Sequence, residues 1–303
     1  MKSGRRQIRL MGTVIDMLVY HEQADWLLKE AEELLRCYEL RFSANRPDSE
    51  LMAVNHAAGK EPVQVHPDLY ELIKLGREHS CAADSQLNIC MGPLVQLWRI
   101  GFSDAKLPSQ AAIEARRQLI DPKQLVLDDV NRSVFLQTKG MLIDLGALAK
   151  GYIADKVMAF LKEKGVSSAL INLGGNVLTM GPAWHNEDRK WRIGIQNPSQ
   201  PRGINSLVLE IQEQSVVTSG IYERKLTAAG RAYHHILSPK TGYPIETDMA
   251  SLTVISDKSV DGEIWTSRLF GQTRERISQE LKRQGFEGLV ISQDGQVYRI
   301  WQD

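Results

Sequence analysis

The feature that most constrains this chain is the irregular order of its hydrophobic patterns. Segments with the two-residue period of strands mix with segments of helical period, and no regular strand–helix–strand rhythm runs through the sequence. A doubly wound parallel sheet requires that rhythm. The order therefore predicts an α+β protein with mixed or antiparallel sheets and packed helices. All 303 residues are expected to form one domain, with a possible subdomain boundary near 139–146.

Capping and turn signals place the individual elements. The expected helices cover 27–38, 67–81, 109–119, 147–164 and a stretch within 261–284. The expected strands cover 8–20, 124–129, 133–138, 169–173, 191–196, 207–211, 216–218, 252–256, 289–291 and 297–301. The second half is therefore expected to be rich in strands.

Composition excludes several classes of protein. Lys plus Arg and Asp plus Glu number 37 each, so there is no basic excess to neutralise a nucleic-acid backbone. No apolar run of about 20 residues could span a membrane. The three cysteines show no metal-ligand spacing, which is typical of reduced thiols. Asp16 interrupts the first apolar run and no cleavage site follows, so we expect a cytoplasmic protein without an export signal.

Two glycine-containing segments could approach a phosphate group. In Asp144–Tyr152 a glycine stands where a strand hands over to a helix, and Lys150 lies in the first helical turn. The free N–H groups of such a turn suit an anion. Asn172–Asn176 has two glycines after an apolar strand. The first segment could equally be a helix start whose glycine only permits close packing. For the second, the local pattern alone favours a tight turn that leaves a strand.

Two further segments carry ionisable groups. His234 and His235 precede a polar Pro-Lys-Thr-Gly turn, which is typical of a binding loop, although adjacent histidines point to opposite faces of an extended segment. Thr218 and Ser219 lack the glycine elbow of a hydrolase nucleophile. Asp261 could hold Mg²⁺ at the start of a helix, or could simply cap that helix.

The order of the motifs is more specific than any one of them. In sequence they are Met11-Gly12-Thr13, Phe42-Ser43, Asp48-Ser49-Glu50-Leu51 with Asn55, Gly92-Pro93-Leu94-Val95, Leu97-Trp98, Asp144–Ala147 with Lys150-Gly151 and Asp155, Asn172–Asn176, Thr218-Ser219-Gly220, His235-Ile236, Gly242-Tyr243-Pro244 and Asp261. This series resembles the ApbE family of FAD:protein FMN transferases over nearly the whole chain.

The resemblance implies a T-fold-like architecture that holds FAD in a cleft with Mg²⁺. It implies transfer of FMN to a threonine or serine of an acceptor flavoprotein, with release of AMP. The Mg²⁺ ligands it implies are Asp261, the backbone oxygen of Ala147, and a third group at Trp265 or Thr266. The FAD contacts it implies are Met11, Asn45, Gln86, Leu87, Asn88, Asp144, Lys150 and Ile236. A proton acceptor is needed for the acceptor hydroxyl, and His235 is the first candidate, with Asp261 the second.

The chain departs from the family pattern at three positions. The family's threonine four residues after the aspartate is replaced by Trp265, with Thr266 displaced by one. Asn88 and Ser238 stand where aspartates are usual. The displaced Thr266 keeps open a flavin-binding protein without catalysis. An Mg²⁺-dependent FAD diphosphatase that makes FMN and AMP also stays open, because water would replace the acceptor hydroxyl and no residue of this chain need differ.

Overall fold

The computed structural model describes residues 2–302, which form an α+β fold around one large antiparallel sheet. The helices are α1 (Ala24–Phe42), α2 (Glu50–His56), α3 (Pro67–Cys81), α4 (Gly92–Trp98), α5 (Gln110–Arg117), α6 (Ala149–Glu163), α7 (Ser259–Leu269) and α8 (Arg274–Gln284). The strands are β1 (Ser3–Leu10), β2 (Thr13–Tyr20), β3 (Val63–Gln64), β4 (Leu125–Asp128), β5 (Ser133–Leu136), β6 (Ser168–Leu173), β7 (Asn176–Met180), β8 (Trp191–Gln196), β9 (Asn205–Ile211), β10 (Ser215–Gly220), β11 (Lys225–Ala228), β12 (Arg231–His234), β13 (Met249–Ser256), β14 (Glu287–Ser292) and β15 (Val297–Ile300). The predicted α+β class is confirmed.

The main sheet is covered on both faces. Its strand order is β1-β2-β6-β7-β10-β13-β14-β15. Helices α1, α6 and α7 pack on one face, where Val254 and Val290 join their hydrophobic cluster. The next residues along these strands, Ile255 and Ile291, face the β8–β9 ribbon on the other side. Because successive side chains of a strand point to opposite faces, this alternation produces three layers.

The strand register brings three chain segments to one end of the main sheet. The β1–β2 turn, the β6–β7 turn and the end of β10 lie there, because β2 pairs Ile15 with Leu173 and β10 pairs Val216 with Val177. Gly174 in the β6–β7 turn has a φ of +65°, and a Cβ there would collide with Thr13. The turn can therefore approach the start of β2 only with glycine at this position.

Two predicted elements are corrected. Residues 8–20 are not one strand, because Met11 and Gly12 take φ values of 53° and 70° and form a two-residue turn between β1 and β2. The helix expected within 261–284 is two helices, α7 and α8. They are separated near Gly271, which has a φ of 77°. In both places a single glycine in an apolar pattern marks a turn.

The core does not divide at the expected subdomain boundary. One hydrophobic cluster takes side chains from Leu10 through Ile300, on both sides of residues 139–146. The assignment to one domain remains a prediction. Within residues 2–302 no helix combines the length and the apolar character that a membrane crossing requires.

Helices α6 and α7 are joined by an unusually close packing contact. A Cβ on Gly151 would lie 2.5 Å from the carbonyl oxygen of Ser259. One turn further along α6, the Asp155 carboxylate accepts hydrogen bonds from the N–H groups of Ser259, at 2.8 Å, and Val260, at 2.9 Å. Asp155 therefore caps α7 from the neighbouring helix and fixes where α7 begins.

Replacing this cap should destabilise the protein. We expect Asp155→Ala to lower the free energy of unfolding by about 1–2 kcal/mol, because two backbone donors lose their acceptor. Asp155→Asn keeps one oxygen acceptor, so its free energy of unfolding should fall by less than that of Asp155→Ala. Urea denaturation followed by circular dichroism measures the difference. Glu30→Ala, at an exposed position in the middle of α1, is the control and should stay within about 0.5 kcal/mol of wild type. Equal losses in Asp155→Ala and the control would contradict the capping role.

Candidate functional site

The segment that leads into α6 leaves several backbone groups free. Asp144 shapes it: its carboxylate accepts the N–H of Gly146 at 2.8 Å, and its own N–H donates to Ile89 at 2.8 Å. In the described part of the chain, no side chain caps α6. Within residues 2–302 the N–H groups of Lys150 and Gly151 have no acceptor, and the exposed carbonyl of Ala147 has no donor. Free N–H groups at a helix start form an anion site, and a free carbonyl can ligate a cation.

A buried carboxylate lies beside this helix start. Glu263 on α7 is 4% exposed, and its Oε1 is 3.0 Å from the Nζ of Lys150. The same oxygen accepts a short hydrogen bond from the amide of Asn176, at the start of β7. Buried charges are stable only when they are paired and hydrogen-bonded. The contact therefore ties α6, α7 and the β6–β7 turn together at the end of the sheet.

Asp261 occupies a different part of α7. It is half-buried, and its carboxylate makes no hydrogen bond or ion pair with the part of the chain that is described. Burial raises the pKa of Asp261, and nearby Asp257 acts in the same direction. Burial also raises the pKa of Asp155 to about 6, with a further contribution from the charge of Asp261. Asp261 thus lies near Asp155, which is about 9 Å along α6 from Ala149 at the start of that helix.

The two candidates for a third metal ligand are both buried. Trp265 is 5% exposed, and the guanidinium of Arg268 lies 4.3 Å from its ring centroid. Thr266 is fully buried, and its hydroxyl donates to the carbonyl of Glu263 at 3.2 Å. Because α7 is continuous, five residues separate Asp261 and Thr266 by about 140° around the helix. The structure therefore places these two side chains on different faces.

Glu263 and Ser267 form an alternative oxygen pair on α7. They are four residues apart and so share one helix face. Ser267 is half-buried, and its hydroxyl makes no hydrogen bond within the described chain. The sequence reasoning named Asp261 and passed over Glu263, two positions later in the same motif. The available signal was the spacing of Glu263 and Ser267, which repeats the acid and hydroxyl spacing expected of the ligands.

His235 lies near the same helix start. Burial lowers its pKa to about 4, and the positive charges of Arg224 and Lys150 contribute in the same direction. Its Nδ1 is buried without a hydrogen-bond partner. Since this pKa lies far below 7, the ring is neutral at physiological pH. A neutral imidazole with an unpartnered nitrogen can accept a proton.

Arg224 is a second group that sequence reasoning did not assign. Its charge lowers the pKa of Asp144, whereas burial of that carboxylate has the larger and opposite effect. Its side chain lies over Gly101, where a Cβ would come within 2.5 Å of the Arg224 Cδ. Arg224 therefore adds positive charge between Asp144 and His235.

Met11 and Asn45 lie on neighbouring loops at the same end of the sheet. The N–H of Met11 donates to the carboxylate of Glu39 at 2.7 Å, and Arg46 approaches that carboxylate to 3.9 Å. Asn45 is exposed, and its N–H donates to Ser43 at 3.2 Å. Met11 and Asn45, two of the expected FAD contacts, therefore lie close together at this end of the main sheet.

The stretch from Gln86 to Asn88 is largely occupied by internal contacts. Leu87 is buried, and Gln86 has a buried side-chain oxygen without a partner. The Asn88 amide donates to the carbonyl of Ile120 at 2.8 Å and accepts the N–H of Cys90 at 2.8 Å. An ionised aspartate could not make the first of these bonds. The hydrogen bond to Ile120 therefore explains why asparagine, and not aspartate, occupies position 88.

The turn after His235 explains why serine can replace the usual aspartate at position 238. The Ser238 hydroxyl accepts the N–H of Lys240 at 3.2 Å, the turn contact that aspartate side chains commonly make. Ile236 is fixed next to this turn, because its carbonyl accepts the N–H of Ile245 at 3.0 Å. Ser238 thus preserves the loop geometry without the negative charge.

The neutral state of His235 gives a measurable expectation. NMR of the ring nitrogens should show His235 titrating near pH 4, because burial and two neighbouring cations disfavour its charged form. The folded protein then binds fewer protons than the unfolded chain between pH 4 and about 6.5, so the free energy of unfolding should fall as the pH falls through that window. His235→Gln should remove this part of the pH dependence. A ring that titrates near 6.5 would contradict the burial of His235.

Comparison with known proteins identifies the family of this chain. The model of the ApbE family matches residues 11–290. A FAD:protein FMN transferase of Klebsiella pneumoniae (strain 342) is 42% identical, over 94% of this chain and 88% of the relative. One from Treponema pallidum (strain Nichols) is 32% identical, over 97% and 88%.

Solved structures agree in fold. The flavin transferase ApbE from Vibrio cholerae superposes with a TM-score of 0.84 at 25% identity, over 98% of this chain and 97% of that one. An ApbE protein from Thermotoga maritima gives a TM-score of 0.89 at 24% identity, over 98% and 97%, and supports the fold alone. The chain therefore belongs to the ApbE family of flavin transferases.

Proposed function

We propose that this protein cleaves FAD, attaches the FMN half through a phosphoester to a threonine or serine of an acceptor flavoprotein, and releases AMP. The observation that carries the proposal is the convergence at the start of α6. Two free N–H groups, the ammonium of Lys150 and the buried carboxylate of Glu263 meet there, beside a neutral His235. A pyrophosphate needs such a set of donors and charges.

The chain's own groups would bind and orient the pyrophosphate. The N–H groups of Lys150 and Gly151 suit its oxygens, and the Lys150 and Arg224 cations offset its charge. The glycine turn at Gly174 allows a close approach of backbone to ligand. Met11 and Asn45 would contact the FAD from the end of the main sheet, and Asp144, Gln86–Asn88 and Ile236 are the other expected contacts.

The residues also fit a magnesium ion. The free carbonyl of Ala147, the Glu263 carboxylate and the Ser267 hydroxyl are oxygen donors of the kind Mg²⁺ prefers. Asp261 is the alternative carboxylate, with Trp265 or Thr266 as its expected companion. Within residues 2–302 no three His, Cys, Asp or Glu side chains form a metal site, so backbone and hydroxyl oxygens would have to complete the ligand set. Bound there, Mg²⁺ would neutralise charge on the pyrophosphate.

His235 would take the proton of the acceptor hydroxyl. The hydroxyl oxygen forms a bond to the FMN phosphorus, the bond from that phosphorus to the bridging oxygen breaks, and AMP leaves with that oxygen. The proton passes to the free Nδ1 of His235. A pyrophosphate beside Lys150 and Arg224 would also raise the pKa of His235, because it offsets the two cations that lower it.

The location of the acceptor is a further part of the proposal. Cys37, Cys81 and Cys90 are all free thiols, and the first two are exposed. Exposed unpaired thiols suit a reducing compartment. We therefore propose a cytoplasmic enzyme that acts on a flavoprotein acceptor there.

Intact mass measures the transfer directly. Purified protein mixed with FAD, Mg²⁺ and an acceptor flavoprotein lacking its flavin should add the mass of FMN less water to the acceptor, with release of AMP. A chelator should abolish the gain. Release of FMN and AMP with an unmodified acceptor would indicate an FAD diphosphatase, and unchanged FAD would indicate a flavin-binding protein without catalysis.

Paired isosteric variants locate the metal. We expect Glu263→Gln to weaken Mn²⁺ binding, measured calorimetrically in the presence of FAD, by about 10-fold or more, because a ligand carboxylate becomes neutral. Asp261→Asn, at the same helix, is the matched variant and should change the affinity by less than about 3-fold. A larger loss of Mn²⁺ affinity in Asp261→Asn than in Glu263→Gln would instead identify Asp261 as the ligand.

A further inference from the structure

The hairpin β11–β12 stands beside the site without joining a larger sheet. Its two strands pair only with each other in the part of the chain that is described. It is joined to the site at its base, where Arg224 precedes β11 and His235 follows β12. Any chain segment that ran along this hairpin would therefore lead into the candidate site.

The hairpin register defines which backbone groups point outward. Ala229 and Gly230 have φ values of 49° and 73° and form a two-residue turn. In such a hairpin the pair next to the turn shares its hydrogen bonds, and the following pair, Thr227 and Ala232, directs its backbone groups outward. Lys225, two residues before Thr227, does the same. Each strand therefore has one potential edge for a third strand.

Within residues 2–302 neither edge of the hairpin makes backbone hydrogen bonds to another strand, but the chain that follows β12 already has a partner. The N–H of Ile245 donates to the carbonyl of Ile236 at 3.0 Å, and Leu237 forms a bridge with Pro244, so the β12 side is covered where it nears the site. Lys225 and Thr227 make no backbone hydrogen bond outside the hairpin within residues 2–302. An added strand would therefore pair with β11.

The hairpin is held firmly enough to serve as a template. Leu226 and Tyr233, opposite each other on one face, pack against the cluster around Trp98, and the rings of Trp98 and Tyr233 are 5.4 Å apart. The other face exposes Lys225 and Thr227 to solvent. Because one face is anchored, the β11 edge has a fixed position relative to His235.

The charges around this edge favour an acidic partner. Among residues 2–302, no carboxylate lies within 4.0 Å of the cationic groups of Arg224 or Lys225, so neither forms an ion pair. Arg231 reaches only Glu246, at 3.9 Å, with both side chains largely exposed. Two cations on the hairpin, Lys225 and Arg231, are therefore largely unneutralised, and a segment with Asp or Glu would complement them.

We propose that the acceptor protein presents an extended, acidic segment that adds to β11 as a third strand and carries its hydroxyl to His235. This rests on the proposed FMN transfer and names how its protein substrate is held. Strand addition uses backbone hydrogen bonds, while side chains supply the selectivity. The acidic residues of the segment would lie against Lys225.

A matched pair of proline variants tests the edge. Thr227→Pro and Ala232→Pro each remove an outward N–H from directly opposed positions, and proline is tolerated at such edge positions. The probe is the protein that the wild-type enzyme labels with flavin in a lysate of its host, identified by mass and purified without flavin. We expect Thr227→Pro to lower kcat/KM for this acceptor about 10-fold through KM, and Ala232→Pro to leave it within about 2-fold. FAD affinity, measured by flavin fluorescence, should be unchanged in both.

The outcomes separate this inference from the proposed function. Equal losses in both variants, or wild-type labelling by Thr227→Pro, would overturn the β11 docking edge while leaving the transferase activity in place. A wild-type protein that labels no acceptor would overturn the transferase proposal, and the docking proposal with it. Lys225→Glu should also raise the acceptor KM at low salt. Lys29→Glu, an exposed position on α1, should not, and equal effects of the two would exclude an acidic partner.

Discussion

The contact on which the site depends is the buried carboxylate of Glu263 with Lys150 and Asn176. These three side chains come from α7, from the start of α6 and from the β6–β7 turn, so one carboxylate holds the three walls of the site together. Removing one partner of a buried pair is costly, because it leaves a charge without compensation. The same pairing keeps Lys150 beside the free N–H groups at the helix start and prevents it from extending into solvent.

The packing of α6 on α7 makes this contact possible. Gly151 lets the backbones approach closely, and Asp155 fixes the first residues of α7. Both residues lie on one stripe of α6, four positions apart. The motif from Asp144 to Asp155 therefore does two things: its first half leaves backbone groups free for a ligand, and its second half positions the helix that supplies the carboxylate.

Sequence reasoning was most successful where a signal is local. The Pro67 helix start, the Ser109 cap and the α+β class follow from capping and periodicity, and the structure has them. It was less successful at β11 and β12, because strands of only four residues are too short for periodicity to distinguish them from a loop. Which of Glu263 and Asp261 serves the site depends on the side of α7 that faces Lys150, a partner distant in sequence that periodicity does not reveal.

A crystal structure with FAD and Mn²⁺ would test the central claim most directly. We expect the pyrophosphate to lie against the N–H groups of Lys150 and Gly151, with the Lys150 ammonium turned from Glu263 toward a phosphate oxygen and the anomalous Mn²⁺ peak next to the Ala147 carbonyl. FAD bound with its pyrophosphate away from the start of α6, and the Lys150–Glu263 pair left intact, would contradict it.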